Sequence, residues 1–221
     1  MTPDPVCYLP SDRNASIFHT FANFSRMIEL KGRKRAAPVL EPLARGLSKV
    51  GATPAMVTIV GLALTVGGAV LIATGFLWQG ALVAGLGVVL DALDGPLARI
   101  QGRANLKGAF LDTMSDRFGE IAIWVGLAVF LRDDPLGLIL CILAMAFSLM
   151  TPYIRAKAES WGAEGRGGWM GRAERMILAL VGIFFAGFWE VVLLPMLWIM
   201  VILTGLTVAQ RIRRTWQQLP G

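Results

Sequence analysis

Between Lys49 and Asp91 the chain carries no charged residue. One membrane-crossing helix needs about 20 apolar residues. The stretch is therefore too long for one span and too apolar for a surface facing water. Gly75-Phe-Leu-Trp-Gln-Gly80 is the natural turn, dividing it into spans over 54–76 and 80–100. Only 16% of the 221 residues are charged, against about 25% in soluble domains.

The pattern continues along the chain. A third span is expected over 107–131, polar in its first half and ended by Arg132-Asp-Asp-Pro135. A fourth covers 136–158, and a polar, Gly-rich loop runs from Gly162 to Gly171. The fifth covers 172–190, and Pro195 marks the start of a sixth that finishes near Gln210. The expected fold is all-α and integral to the membrane, with six transmembrane helices and both termini on one side. Of the 21 Lys and Arg residues, Arg132 alone falls on the opposite side. Positive residues gather on the cytoplasmic side, so both termini are expected in the cytoplasm, with the chain multi-pass in the cell membrane. Topology also accounts for the net charge of +6 without a nucleic-acid partner.

The expected organisation is a cytosolic leader over 1–36, an amphipathic juxtamembrane helix over 37–50, a six-helix domain over 51–215 and a tail over 216–221. Leu40, Leu43, Leu47 and Val50 fall on one helical face, and Glu41, Arg45 and Lys49 on another. This predicts an N-terminal amphipathic helix lying in the interface, among membrane lipids. Ile17, Phe18, Phe21, Phe24 and Ile28 also follow helical spacing. They suit either a second interfacial helix or one packed on the protein's own cytosolic face.

The second and third spans carry Asp91, Asp94, Asp112 and Asp116. Spacings of three and four residues put each pair on one face of its helix. The short connection from Gln101 to Leu106 makes the two helices antiparallel neighbours, so four carboxylates can converge near the cytoplasmic end. Ionised carboxylates inside a membrane are costly, and like charges repel. Two divalent cations resolve both problems, and hard oxygen ligands suit Mg²⁺ or Mn²⁺. Gly95 and Gly108 leave room for either a ligand or a facing helix. Arg99 suits a phosphate or a positive-inside anchor. Pro96 frees the carbonyl of Ala92 and bends the second helix.

The run Asp91-x2-Asp94-Gly95-x2-Ala98-Arg99-x8-Gly108-x3-Asp112-x3-Asp116 resembles the complete signature of the CDP-alcohol phosphotransferases, and the six-helix arrangement is similar over about 40–215. The resemblance implies that Asp91, Asp94, Asp112 and Asp116 form a two-metal site. It implies that Asp116 is also the base for the acceptor hydroxyl. Gly95, Ala98, Arg99 and Gly108 would contact the CDP group. The family's Thr-Pro-Asn-x-x-Thr pattern stands here as Thr53-Pro54-Ala55-Met56-Val57-Thr58, leaving Thr58 as a phosphate ligand. The family also implies a homodimer.

Tyr153-Ile-Arg-Ala-Lys-Ala-Glu159 and Arg172-Ala-Glu-Arg-Met176 resemble segments of bacterial phosphatidylinositol-phosphate synthases, with Pro152 where those have Ser. Arg155, Lys157, Arg172 and Arg175 flank the polar loop and predict a phosphate-bearing acceptor. The implied reaction transfers a phosphatidyl group from CDP-diacylglycerol to a small alcohol, releasing CMP. Inositol phosphate is the first expectation for that alcohol, and glycerol 3-phosphate the alternative. A cation or proton transporter is the rival class, because membrane carboxylates also mark ion pathways. Against it, the carboxylates cluster at one end of two helices whose far halves are apolar.

Overall fold

A computed structural model describes residues 40–165 and 167–220, and every regular element among them is helical. Helix α1 covers 40–49. It is followed by α2 (Pro54–Ala73), α3 (Leu77–Asp91), α4 (Asp94–Ile100), α5 (Leu106–Phe130), α6 (Pro135–Ser160), α7 (Arg172–Ala186) and α8 (Leu193–Gln218). Four stretches are long and apolar enough to cross a membrane: Pro54–Ala73, Leu77–Ile100, Pro135–Ser160 and Glu190–Gln218. Of the other two expected spans, α5 carries Lys107, Asp112, Asp116, Arg117 and Glu120, and α7 is 15 residues long.

The helix starts follow from local chemistry. The Thr53 hydroxyl accepts the Met56 N–H at 3.3 Å, and Pro54 begins α2, where its missing N–H costs nothing. Asn105 caps α5 by accepting the Gly108 N–H at 2.8 Å. Gly75, at φ 92°, makes the expected turn between α2 and α3. The two helices then pack backbone to backbone. A Cβ on Gly68 would lie 2.6 Å from the Gly80 carbonyl oxygen, and one on Gly80 would lie 2.7 Å from that of Gly68. Such small-residue contacts replace the hydrophobic driving force that lipid does not supply. Large apolar side chains such as Ile59, Val66, Leu86 and Ile139 point outward, as lipid-facing residues do.

Residues 40–49 are helical, but the expected apolar face divides. Leu40, Ala44 and Leu47 pack against Val57, Leu93 and Leu97, while Leu43 and Val50 point outward. The narrow 40-44-47 stripe meets α2 and α4, and the flanking positions do not reach them. The leader over 1–36 and its apolar pattern from Ile17 to Ile28 lie outside the described residues. Helix α8 runs to Gln218, beyond the expected close near Gln210, because the Gln218 side chain is tied to the loop before α7.

Candidate active site

The second span is not continuous through its carboxylates. Asp91 is the last residue of α3 and Asp94 the first of α4, with a turn at Ala92 and Leu93 between them. The expected single helical face for this pair is therefore broken. The cause is Pro96, which offers no N–H to Ala92 and whose ring crowds that carbonyl. The chain tightens instead, and the Leu93 N–H bonds to the Leu90 carbonyl at 3.0 Å.

The break sends the two carboxylates to different partners. Ser115 on α5 donates its hydroxyl to Asp91 Oδ1 at 3.1 Å. Thr58 on α2 donates to Asp94 Oδ2 at 2.5 Å. Asp112 and Asp116, one turn apart on α5, complete the group. Carboxylate oxygens of Asp91, Asp112 and Asp116 lie within 4.8 Å of one another. Asp94 stands beside this triple and is buried against Thr58. Gly61 makes the approach possible, because a Cβ there would sit 3.1 Å from the Asp91 backbone nitrogen.

Helix α4 is sandwiched. Leu93 and Leu97 are buried against α1 and α2, while Gly95, Ala98 and Arg99 lie on its more open side. A Cβ on Gly95 would meet nothing within 4 Å, and one on Gly108 only Asn105 Oδ1 at 3.6 Å. Neither glycine is required by helix packing, unlike Gly61 or Gly68. Thr58, expected as a phosphate ligand, is buried with its hydroxyl on Asp94 and near the Pro54 carbonyl.

The four expected cations take separate settings. Arg172 opens α7 and places Nη1 2.5 Å from Asp116 Oδ1, with Nη2 3.4 Å from the Asp116 carbonyl. Arg175, one turn deeper, is fully buried, with Nε and Nη2 each 3.3 Å from Glu120 Oε1. Arg155 pairs with Glu159 at 2.9 Å, and Lys157 lies 4.4 Å over the Trp161 ring. Both stand near the C-terminal end of α6.

Three side chains that tie the surrounding elements together were not anticipated. Glu120 extends the ladder Asp112-x3-Asp116-x3-Glu120 by one turn, a spacing that is visible in the sequence. Arg211 donates to the Gly167 carbonyl at 2.8 Å and the Thr151 carbonyl at 2.6 Å. Gln218 exchanges hydrogen bonds with the Glu164 backbone at 2.8 and 3.2 Å. The last two pin the polar loop to α8, and no local pattern announces them.

The arrangement combines close hard-oxygen donors, an open small-residue face on α4 and an arginine against one carboxylate. That chemistry suits binding and displacement at a phosphate.

The sequence profile of the CDP-alcohol phosphatidyltransferases matches residues 52–209. A phosphatidylinositol phosphate synthase of Mycobacterium bovis is 37% identical over 198 residues, covering 86% of this chain and 90% of the relative. One from Cutibacterium acnes is 38% identical over 192 residues, covering 79% and 91%. Among solved structures, the Mycobacterium tuberculosis phosphatidylinositol phosphate synthase with CDP-DAG bound is similar at a TM-score of 0.75 and 36% identity, over 84% of this chain and 96% of that one. The same enzyme in complex with manganese and citrate also gives a TM-score of 0.75 at 36% identity, over 82% and 90%.

Proposed function

The chain belongs to the CDP-alcohol phosphatidyltransferase family, and from that premise we propose how its side chains move a phosphatidyl group from CDP-diacylglycerol to inositol phosphate, releasing CMP. It is a membrane transferase of phospholipid biosynthesis, not a transporter. The observation that carries the site assignment is the carboxylate triple of Asp91, Asp112 and Asp116, with Arg172 held against Asp116.

The donor set fits a divalent cation: three carboxylates with oxygens within 4.8 Å and a fourth, Asp94, adjacent. We assign Asp91, Asp94, Asp112 and Asp116 to two such ions, Mg²⁺ or Mn²⁺. When bound, these ions supply positive charge that offsets the charge of the pyrophosphate and of the departing CMP. Thr58 acts through Asp94, holding its carboxylate toward α2. Gly95, Ala98 and Gly108 leave room for the CDP group, and Arg99 meets a phosphate at the exposed end of α4.

Asp116 takes the proton from the acceptor hydroxyl. The acceptor oxygen then attacks the lipid-side phosphorus. The bond from that phosphorus to the bridging oxygen breaks, and CMP leaves with the bridging oxygen. Arg172 stands where it can bind the acceptor's own phosphate while flanking Asp116, and Arg155 and Lys157 extend the positive surface outward. Arg175, with its donors engaged below, supports this group from beneath.

We further propose that α5 and α7 complete six spans, with both termini cytoplasmic. Supporting this, their acidic and basic side chains face one another rather than lipid, as the Asp116–Arg172 and Glu120–Arg175 pairs illustrate. The 51–215 body, the juxtamembrane helix and a homodimer follow the family resemblance. Cross-linking in native membranes tests the dimer.

The acceptor test uses purified protein, CDP-diacylglycerol and Mg²⁺, and follows CMP release with a panel of alcohols. Inositol phosphate is expected to turn over fastest. Faster turnover with glycerol 3-phosphate or free inositol would overturn the acceptor assignment.

A further inference from the structure

Helices α5 and α7 are joined by two ionic rungs. The upper rung, Arg172 to Asp116, is 2.5 Å long, with side chains 29% and 16% exposed. The lower rung, Arg175 to Glu120, is 3.3 Å long, with side chains 2% and 0% exposed. The α5 members are four residues apart and the α7 members three, so each pair follows one helical face. The two rungs together fix the depth of α7 against α5.

The lower rung is buried, and burying its charges is costly. Its contacts spread over the surrounding elements. Glu120 accepts from Arg175 on one oxygen and from Arg117 Nη1 on the other, at 3.1 Å. Arg175 also donates to the carbonyls of Ser148 on α6, at 3.4 Å, and Met170 in the loop, at 3.5 Å. The Ser148 carbonyl is available for a particular reason. Its ordinary helical donor would be residue 152, which is Pro152 and has no N–H. Arg175 and the Thr151 hydroxyl, at 2.9 Å, take its place.

We propose that Glu120 is a positioning residue for the phosphate-bearing acceptor: with Arg175 and the carbonyl freed by Pro152, it forms a buried fixed point that sets α7 and aims Arg172 at Asp116. The proposal rests on the acceptor role given to Arg172 above. Glu120 touches neither substrate nor reacting atoms. It acts through the register of α7, and displacement of a binding group by a fraction of a helical turn is enough to weaken a phosphate contact.

The experiment compares wild type, Glu120→Gln, Glu120→Asp and the double variant Glu120→Met with Arg175→Met, reading both KM values, kcat and Tm in detergent. Glu120→Gln is expected to raise the acceptor KM roughly tenfold while the CDP-diacylglycerol KM stays within about twofold. Glu120→Asp is expected to recover part of the loss. The double variant removes both buried charges, so its Tm is expected near wild type, with the acceptor KM still raised. A double variant with wild-type Tm and wild-type acceptor KM would overturn the proposal, and so would equal rises in both KM values for Glu120→Gln. If Glu120→Gln does not fold, the double variant decides alone. The acceptor is whichever phosphorylated alcohol the wild type uses. A wild type that uses only unphosphorylated alcohols would instead refute the acceptor reading, before any variant is made.

Discussion

Thr58 donates its hydroxyl to Asp94 Oδ2 at 2.5 Å, tying α2 to the first residue of α4 where the second span is broken. The contact gives Thr58 a role as holder of a carboxylate. Thr58→Val keeps the shape and deletes the donor. The expected result is a fall in kcat/KM of roughly tenfold, the size of losing one hydrogen bond to a charged group. Thr58→Ser is expected to retain most activity. Equal losses in the two variants would show that packing, not the hydroxyl, matters here.

Asp91 and Asp112 bring hard oxygens together with Asp116. Asp91→Asn or Asp112→Asn keeps the volume and removes a charge. Turnover is expected to fall at least about a hundredfold, as for loss of a strong transition-state electrostatic contact. EDTA is expected to abolish CMP release, and Mg²⁺ or Mn²⁺ to restore it. Full activity in EDTA would refute the metal assignment.

Gly95 and Gly61 make a matched comparison. A Cβ at Gly95 meets nothing within 4 Å, whereas one at Gly61 lies 2.9 Å from the Gly87 carbonyl oxygen. Gly95→Ala is expected to keep the wild-type Tm and weaken CDP-diacylglycerol binding. Gly61→Ala is expected to lower Tm by forcing α2 from α3. Unchanged substrate binding in Gly95→Ala would remove the CDP contact from that face.

Asp116 and Arg172 are in contact yet are assigned different tasks. Asp116→Asn is expected to stop transfer while CDP-diacylglycerol still binds, measured with labelled lipid. Arg172→Ala is expected to raise the acceptor KM more than the CDP-diacylglycerol KM. Loss of lipid binding in Asp116→Asn as severe as the loss of turnover would make Asp116 chiefly a metal ligand.

Much of this site was legible before any coordinate. Asp112 with Asp116 and Arg172 with Arg175 stand at spacings that one helix can read, whereas Asp91 and Asp94 were legible as a pair but not as members of two separate helices. Glu120 was legible too, as the next step of the Asp112-x3-Asp116 ladder, but its partner was not. Arg172 and Arg175 share a helical face, so spacing alone groups them. Depth separates them, one at the carboxylates and the other sealed beneath.

Membrane class, helical content and the positions of the apolar stretches were determined by the sequence itself, because hydropathy and helical period are properties of neighbouring residues. The partners of the charged and polar side chains were decided only by the tertiary structure. Thr58 meets Asp94 across 36 positions, Arg175 meets Glu120 across 55 and Arg172 meets the Asp116 carbonyl across 56. Such contacts depend on how closely helices approach and at what depth they lock. Glycines such as Gly61 and Gly68 set the approach, and the break imposed by Pro96 sends Asp91 toward α5 and Asp94 toward α2.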